Sequence, residues 1–74
     1  MTNRTNLDET IAVSVDLTEP LLTAAQVARL LSVPRSSVYE YARRLHNPLP
    51  SIGVGRHRRF YRSDVAGWLA SLRT

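Results

Sequence analysis

Apolar side chains recur at helical spacing in the middle of the chain, and the first such stretch carries a helix start signal. Thr23 and Gln26 have the spacing of a capping box, in which each side chain binds the backbone N–H of the other residue. The pattern predicts a helix that begins at Ala24 and ends at Leu31. The side chains expected to face the core are Val27, Leu30 and Leu31.

A second amphipathic stretch follows a break at residues 32–34, which read Ser-Val-Pro. Proline suits a helix start, because the N–H that it lacks would have no partner there. We therefore expect a second helix from Arg35 to Leu45. Its buried face would carry Val38, Tyr41, Ala42 and Leu45. The opposite face would present Ser36, Tyr39, Glu40 and Arg43, with Ser37 and Arg44 beside it.

The apolar residues then change from helical spacing to the alternating spacing of strands, which predicts a hairpin. Ile52–Val54 and Arg59–Tyr61 are typical of two short strands, joined by a tight turn over residues 55–58 that begins with glycine. The inner face of this hairpin is expected to carry Ile52, Val54 and Phe60.

A last helix is predicted after the hairpin. Ser63 is expected to cap it, and Asp64 is favourable at its positive end. Gly67 inside a helix costs about 1 kcal/mol relative to alanine, and a close contact with a neighbouring backbone would account for it. The apolar stripe consists of Val65, Trp68, Leu69 and Leu72, which favours a core position for the tryptophan over a base-stacking one.

Residues 1–19 form a polar leader, which we interpret as flexible, before a single folded domain at residues 20–74. The apolar residues from Ile11 to Leu17 alternate with other residues, which is typical of an edge strand, of a strand that pairs with another copy, or of a tail. The leader has a net charge of −3 and the domain +7. The basic residues thus belong to the predicted folded part.

Length and composition exclude several classes of protein. A chain of 74 residues has little room for a deep pocket, and we find no catalytic motif, so an enzyme is not expected. The chain has no cysteine and only two histidines, so neither a metal site nor a cofactor is expected. No apolar run approaches the roughly 20 residues needed to span a membrane, and we expect a cytoplasmic protein.

The predicted hairpin concentrates positive charge. Arg56, Arg58, Arg59 and Arg62 lie within seven residues of one another. One interpretation is a charged turn in water, in which Arg59 or Arg62 pairs with a carboxylate. The other is a grip on a polyanion, which relieves the mutual repulsion of the arginines. Together with the helix pair, the hairpin favours double-stranded DNA as the partner.

The folded part resembles a known family. The segments LLTAAQVARLLSVPRSSVYEYARR and LPSIGVGRHRRFYRSDVAGWLASL are similar to the excisionase DNA-binding domains of the MerR-type winged-helix superfamily. The likeness covers about residues 21–72. It implies a small α+β winged helix-turn-helix fold, with about three short helices and a two- or three-stranded β-hairpin wing.

The resemblance also assigns roles to residues. It implies that the second helix enters the major groove of DNA, with contacts from Arg35, Ser36, Ser37, Tyr39, Glu40, Arg43 and Arg44. It implies that the wing reaches the minor groove or the backbone through Arg56, His57 and Arg58, and we add Arg59 to this group. Pro34 departs from the family pattern, because a serine or threonine cap is common at that position.

Three functions fit this chain. The first is an excisionase, which bends DNA in a bacterial host and directs a phage or mobile-element integrase toward excision, with neighbouring copies of itself on the DNA. The second is a small phage or plasmid repressor of the same fold. The third is a protein-interaction module such as an antitoxin-like protein, which the basic wing disfavours.

Overall fold

The computed structural model describes residues 16–73, which fold into three helices around a three-stranded antiparallel sheet. Residues 11–15, where most of the alternating pattern of the leader lies, are outside the described residues, and Leu17 lies in an exposed turn. The elements in chain order are β1 (Leu21–Thr23), α1 (Ala24–Leu31), α2 (Arg35–Ala42), β2 (Ile52–Val54), β3 (His57–Tyr61) and α3 (Arg62–Ser71). This is a small α+β winged-helix fold, as predicted.

The wing is the hairpin of β2 and β3, and it belongs to a three-stranded sheet in the order β1-β3-β2. The central strand β3 pairs with β2 in the hairpin, and its other edge pairs with β1, where Leu22 lies opposite Phe60. Strand β1 was not predicted as a strand. Because it leads directly into α1, this pairing attaches the wing to the start of the helix pair.

The core lies between the sheet and the three helices. Phe60 and Val38 have no exposed surface, so the central strand and α2 share one apolar cluster. The members of this cluster are Leu22, Ala24, Val27, Ala28, Val38, Leu49, Phe60, Val65 and Trp68. The core therefore sets the position of α2 relative to the sheet.

Helix α1 has the predicted bounds, and its capping box is present. The Thr23 side chain accepts the N–H of Gln26 at 3.1 Å, and the Gln26 side chain accepts the N–H of Thr23 at 2.8 Å. The predicted burial of Leu30 is wrong, because 46% of its surface is exposed. The inward positions beside Val27 are filled by small residues, Ala24 and Ala28, which let the helix lie close to the sheet.

Helix α2 is shorter than predicted: it ends at Ala42 rather than Leu45. The Tyr41 carbonyl accepts the N–H of Leu49 at 3.1 Å, so the chain turns back over the end of the helix. Leu49 is 1% exposed, whereas Leu45 is fully exposed. The prediction that Leu45 is buried is therefore wrong, and Leu49 fills the core at this end of α2.

The hairpin has a two-residue turn instead of the predicted four. Val54 pairs with His57, so only Gly55 and Arg56 connect the strands. Gly55 has φ +61°, a conformation that glycine adopts without a steric penalty. The first central residue of a two-residue hairpin turn commonly needs this conformation.

The predicted inner face of the hairpin is only partly correct. Successive side chains of a strand point to opposite faces, and Ile52 lies directly opposite Arg59. Ile52 and Val54 therefore share the face of Arg59, and Phe60 points to the other face. Phe60 is buried, Ile52 is half-buried, and about half of the Val54 surface is exposed.

Helix α3 begins at Arg62, and Tyr61, not Ser63, is its N-cap residue. The predicted cap by Ser63 is wrong, because this residue already lies in the first turn. Glu19 takes the capping role instead: its carboxylate accepts the backbone N–H and the hydroxyl of Ser63, both at 2.9 Å. A carboxylate at a helix N-terminus is stabilised by the helix dipole. The end of the acidic leader is thus attached to the domain.

Glu19→Ala should lower the free energy of unfolding by about 0.5–2 kcal/mol, the usual effect of losing an N-terminal cap. Glu19→Gln keeps an oxygen acceptor without the charge and should cost less. Urea denaturation of the three proteins measures both effects. Equal midpoints for wild type and Glu19→Ala would show that the carboxylate does not stabilise α3.

The apolar stripe of α3 is only half buried. Val65 and Trp68 lie in the core, whereas Leu69 and Leu72 are 43% and 46% exposed. The predicted core position of Trp68 is confirmed. Its indole N–H donates to the Asn47 carbonyl at 2.8 Å, and its ring packs against the ring of Tyr41.

Gly67 has no close neighbour that would explain a glycine. A Cβ added at this position meets no atom within 4 Å apart from its own helix and chain neighbours, so a close backbone contact does not account for this glycine. We expect Gly67→Ala to raise the free energy of unfolding by about 1 kcal/mol, which for a domain of this size shifts the melting temperature by about 4–8 °C.

Thermal denaturation followed by circular dichroism measures this shift. Gly55→Ala is the matched control, because its positive φ strains any side chain, and it should lower the melting temperature. A lower melting temperature for Gly67→Ala would contradict the prediction.

Candidate nucleic-acid interface

A tight turn sets α2 across the end of α1. Ser32 has φ 58° and ψ 45°, a left-handed conformation that ends α1. The N–H of Val33 then donates to the Ala28 carbonyl at 3.0 Å, and Pro34 is the N-cap residue of α2. Two helices joined by such a short turn form a helix-turn-helix unit, in which the second helix is free to enter a groove of DNA.

The N-terminus of α2 has no side-chain cap. Pro34 has no polar side chain, and only its carbonyl takes part, by accepting the N–H of Ser37 at 3.0 Å. At an uncapped helix start, backbone N–H groups and the positive end of the helix dipole are available to bind an anion. Proline in place of a serine or threonine cap at position 34 is thus compatible with a phosphate contact near Arg35 and Ser36, which are both exposed.

One face of α2 points away from the core. Ser36, Tyr39 and Glu40 are exposed, and Arg43 follows at the same spacing as the C-cap residue. Ser37 is half-buried at the edge of this face. Hydroxyl, carboxylate and guanidinium groups are donors and acceptors that match base edges and phosphates.

Arg44 lies apart from this exposed face. It follows the C-cap of α2, and its guanidinium carbon lies 4.9 Å from the centre of the Tyr41 ring. The ring of Tyr41 in turn lies 5.2 Å from that of Trp68 on α3. Stacking therefore directs Arg44 toward α3, on a different side of α2 from Tyr39 and Arg43.

The wing presents its arginines on two faces. Arg58 is two residues before Phe60, so both side chains point to the side of the sheet where the helices lie. The Arg58 guanidinium donates to the Ser51 hydroxyl at 2.9 Å, which holds it near the base of the hairpin. Arg56, exposed at the tip, extends the positive surface outward.

His57 and Arg59 point to the opposite face of the wing. Arg59 lies opposite Ile52, and its guanidinium donates to the Arg58 carbonyl at 3.0 Å. The four predicted wing residues are therefore not equivalent. Arg58 lies on the side of α2, whereas Arg59 is directed away from it.

The loop between α2 and the wing is fixed by α3. The Asn47 side chain donates to the Ser71 hydroxyl at 2.9 Å, in addition to the bond between its carbonyl and Trp68. Asn47, Ser51 and Glu19 also position the interface, although the sequence pattern did not single them out. No periodicity marks such single polar contacts, although the αL conformation of Asn47 is one that asparagine commonly adopts.

Residues 16–73 contain no cluster of three side chains that could hold a metal ion. In the same residues, no helix is both long enough and apolar enough to cross a membrane.

Comparison with known proteins identifies the unit formed by these helices. The family model described as a helix-turn-helix domain matches residues 21–73, which include every helix and strand described here. Helix-turn-helix domains bind DNA through their second helix. The comparisons with curated proteins and with solved structures returned no match.

Proposed function

Because the chain belongs to the helix-turn-helix domain family, we propose that it is an excisionase, which binds and bends specific DNA sites and directs a site-specific integrase toward excision. The family includes excisionase-like DNA-binding proteins, which is the observation that carries the proposal. The host would be a bacterial cell, and the protein would associate with the nucleoid through DNA. The alternative is a small transcriptional repressor with the same DNA-binding surface.

In this proposal α2 enters the major groove and the wing holds the backbone. The exposed Tyr39, Glu40 and Arg43 face base edges, and the uncapped start of α2 meets a phosphate. Arg56 and Arg58 neutralise phosphates beside the same groove.

The size of the domain favours action by several copies. One α2 of eight residues reads a short groove segment, which provides little specificity and little bending. Neighbouring copies on adjacent sites add their bends, and each bend costs on the order of 1–6 kcal/mol, which phosphate contacts offset. A curved array of this kind brings integrase-bound DNA arms together.

The test compares DNA with one site and DNA with several directly repeated sites. We expect cooperative gel shifts on the repeats and altered mobility in a circular-permutation assay, together with integrase-dependent excision in cells. The double variant Arg56→Ala/Arg58→Ala should lose all three activities. A stable dimer that binds one inverted repeat without bending it would favour the repressor.

The two faces of the wing provide a matched pair of variants. Arg58→Ala should weaken binding to specific and nonspecific DNA about equally, and should reduce the salt slope by about one unit, if Arg58 contacts a phosphate. Arg59→Ala removes the same charge from the opposite face and should have a smaller effect on both quantities. Fluorescence anisotropy over a salt series measures both variants, and equal effects would contradict the assignment of faces.

Base reading is tested on α2. Arg43→Ala should lose about 1–3 kcal/mol of binding free energy, mostly on the cognate site, if Arg43 reads a base. Uniform weakening on all sequences would instead assign Arg43 to the backbone.

A further inference from the structure

A shallow apolar groove runs along the surface between α1 and α3. Three leucines on it are more than 40% exposed, namely Leu30, Leu69 and Leu72. Two adjoining depressions form the groove, and they share two residues, Leu31 and Leu69. Arg62 lines the end near the start of α3, and Arg44 lines the end near Leu72. We call this surface, from Arg62 to Arg44, the α1–α3 groove.

The described chain begins beside the Arg62 end of this groove. The Tyr61 hydroxyl donates to the Asp16 carbonyl at 3.2 Å, and the Glu19 carboxylate binds Ser63. Tyr61 and Ser63 flank Arg62 in the sequence, so residues 16–19 are attached at the start of α3, where Arg62 lines the groove.

A turn at residues 16–19 sets the point from which the leader departs. The Asp16 carboxylate accepts the N–H of Thr18 at 2.9 Å and also the Thr18 hydroxyl. These hydrogen bonds lower the pKa of Asp16 below its ordinary value. The N–H of Glu19 donates to the Asp16 carbonyl at 3.2 Å and closes the turn.

The segment that precedes this turn has the length and chemistry to fill the groove. Ile11, Val13 and Val15 alternate with other residues, so an extended chain presents all three on one edge. Asp8 and Glu9 precede them. Eight extended residues span at most about 27 Å, whereas the ten-residue α3, along which the groove runs, is about 15 Å long.

We propose that residues 8–15 of the same chain bind in the α1–α3 groove. Ile11, Val13 and Val15 cover Leu30 and Leu69, which removes apolar surface from water. Because the segment starts from the Arg62 end, its carboxylates arrive near Arg44, where the charges are complementary. The acidic leader then lies beside α3, away from the exposed face of α2.

Paramagnetic relaxation measured by NMR on the full chain tests this arrangement. The chain contains no cysteine, so Ala12→Cys provides a single site for a nitroxide label, on the edge of the segment opposite the three apolar side chains. We expect the amide signals of Leu30 and Leu69 to lose intensity, and those of Gly55 in the hairpin turn to keep it. Adding Ile11→Ser and Val13→Ser to the labelled chain should restore the lost intensity without affecting the fold, because both changes lie in the leader.

A mixing experiment identifies the source of the segment. Nitroxide-labelled chains at natural isotope abundance are mixed with ¹⁵N-enriched chains that carry no nitroxide. Intensity loss at Leu30 and Leu69 in this mixture would overturn the proposal in favour of a segment from another copy. Unchanged intensity in every sample would also overturn it, because the groove would then lack this occupant. The readout contains no DNA, so a failure of the excisionase proposal leaves this test unaffected.

Discussion

Phe60→Ala is expected to leave the domain largely unfolded at 25 °C. Phe60 is fully buried on the central strand, in one apolar cluster with Val38 of α2. Truncation of a buried phenylalanine costs about 3–5 kcal/mol, because apolar contacts are lost and a cavity remains. A single core in a chain below roughly 70–80 residues rarely supplies more than about 3–5 kcal/mol of stability, so this one change removes most of it.

Far-ultraviolet circular dichroism and the dispersion of amide NMR signals measure this loss. Leu45→Ala is the matched control, because Leu45 is fully exposed and its truncation should change the free energy of unfolding by less than about 0.5 kcal/mol. A Phe60→Ala protein that melts cooperatively near the wild-type temperature would show that the core adapts to the cavity. The same protein should lose DNA binding, since α2 keeps its position through this cluster.

The affinity for DNA is expected to fall by a few hundred-fold to about a thousand-fold between 50 and 200 mM salt, if about four to six phosphates are neutralised. Each such contact releases counterions, so the logarithm of the binding constant falls with the logarithm of salt with a slope of about −4 to −5. Arg35, Arg56 and Arg58 are among the exposed arginines that supply these contacts in the proposed complex.

Fluorescence anisotropy on labelled duplexes across a salt series measures the slope. The double variant Arg56→Ala/Arg58→Ala should reduce the slope by about two units. Arg29→Ala removes an arginine of α1 that lines a separate depression with Leu22 and Arg62, and it should leave the slope nearly unchanged. A flat salt profile for the wild type, or no binding to any duplex at low salt, would exclude the proposed DNA complex.

The sequence by itself determined the elements whose signals are local. The capping box of Thr23 and Gln26 gave the correct start of α1, since both partners lie within one turn. Gly55 correctly indicated the hairpin turn, and helical spacing correctly predicted that Val38 and Trp68 are buried in the core. The positions of Arg35 at the start of α2 and of Arg56 in the hairpin turn followed from these elements. Which of these residues contact DNA stays a prediction.

Only the tertiary structure decided which apolar residues are buried and where the chain turns back. Leu45 continues the stripe of α2 in the sequence, yet Leu49 fills that place, because its N–H binds the end of α2 and the loop is held by Trp68. Glu19 caps α3 from 44 residues away, a distance over which no periodic signal extends. Helical spacing defines the direction of a side chain, but burial depends on the neighbours that the fold brings to that side. Leu69 shows this, since it belongs to the predicted stripe and faces an open groove.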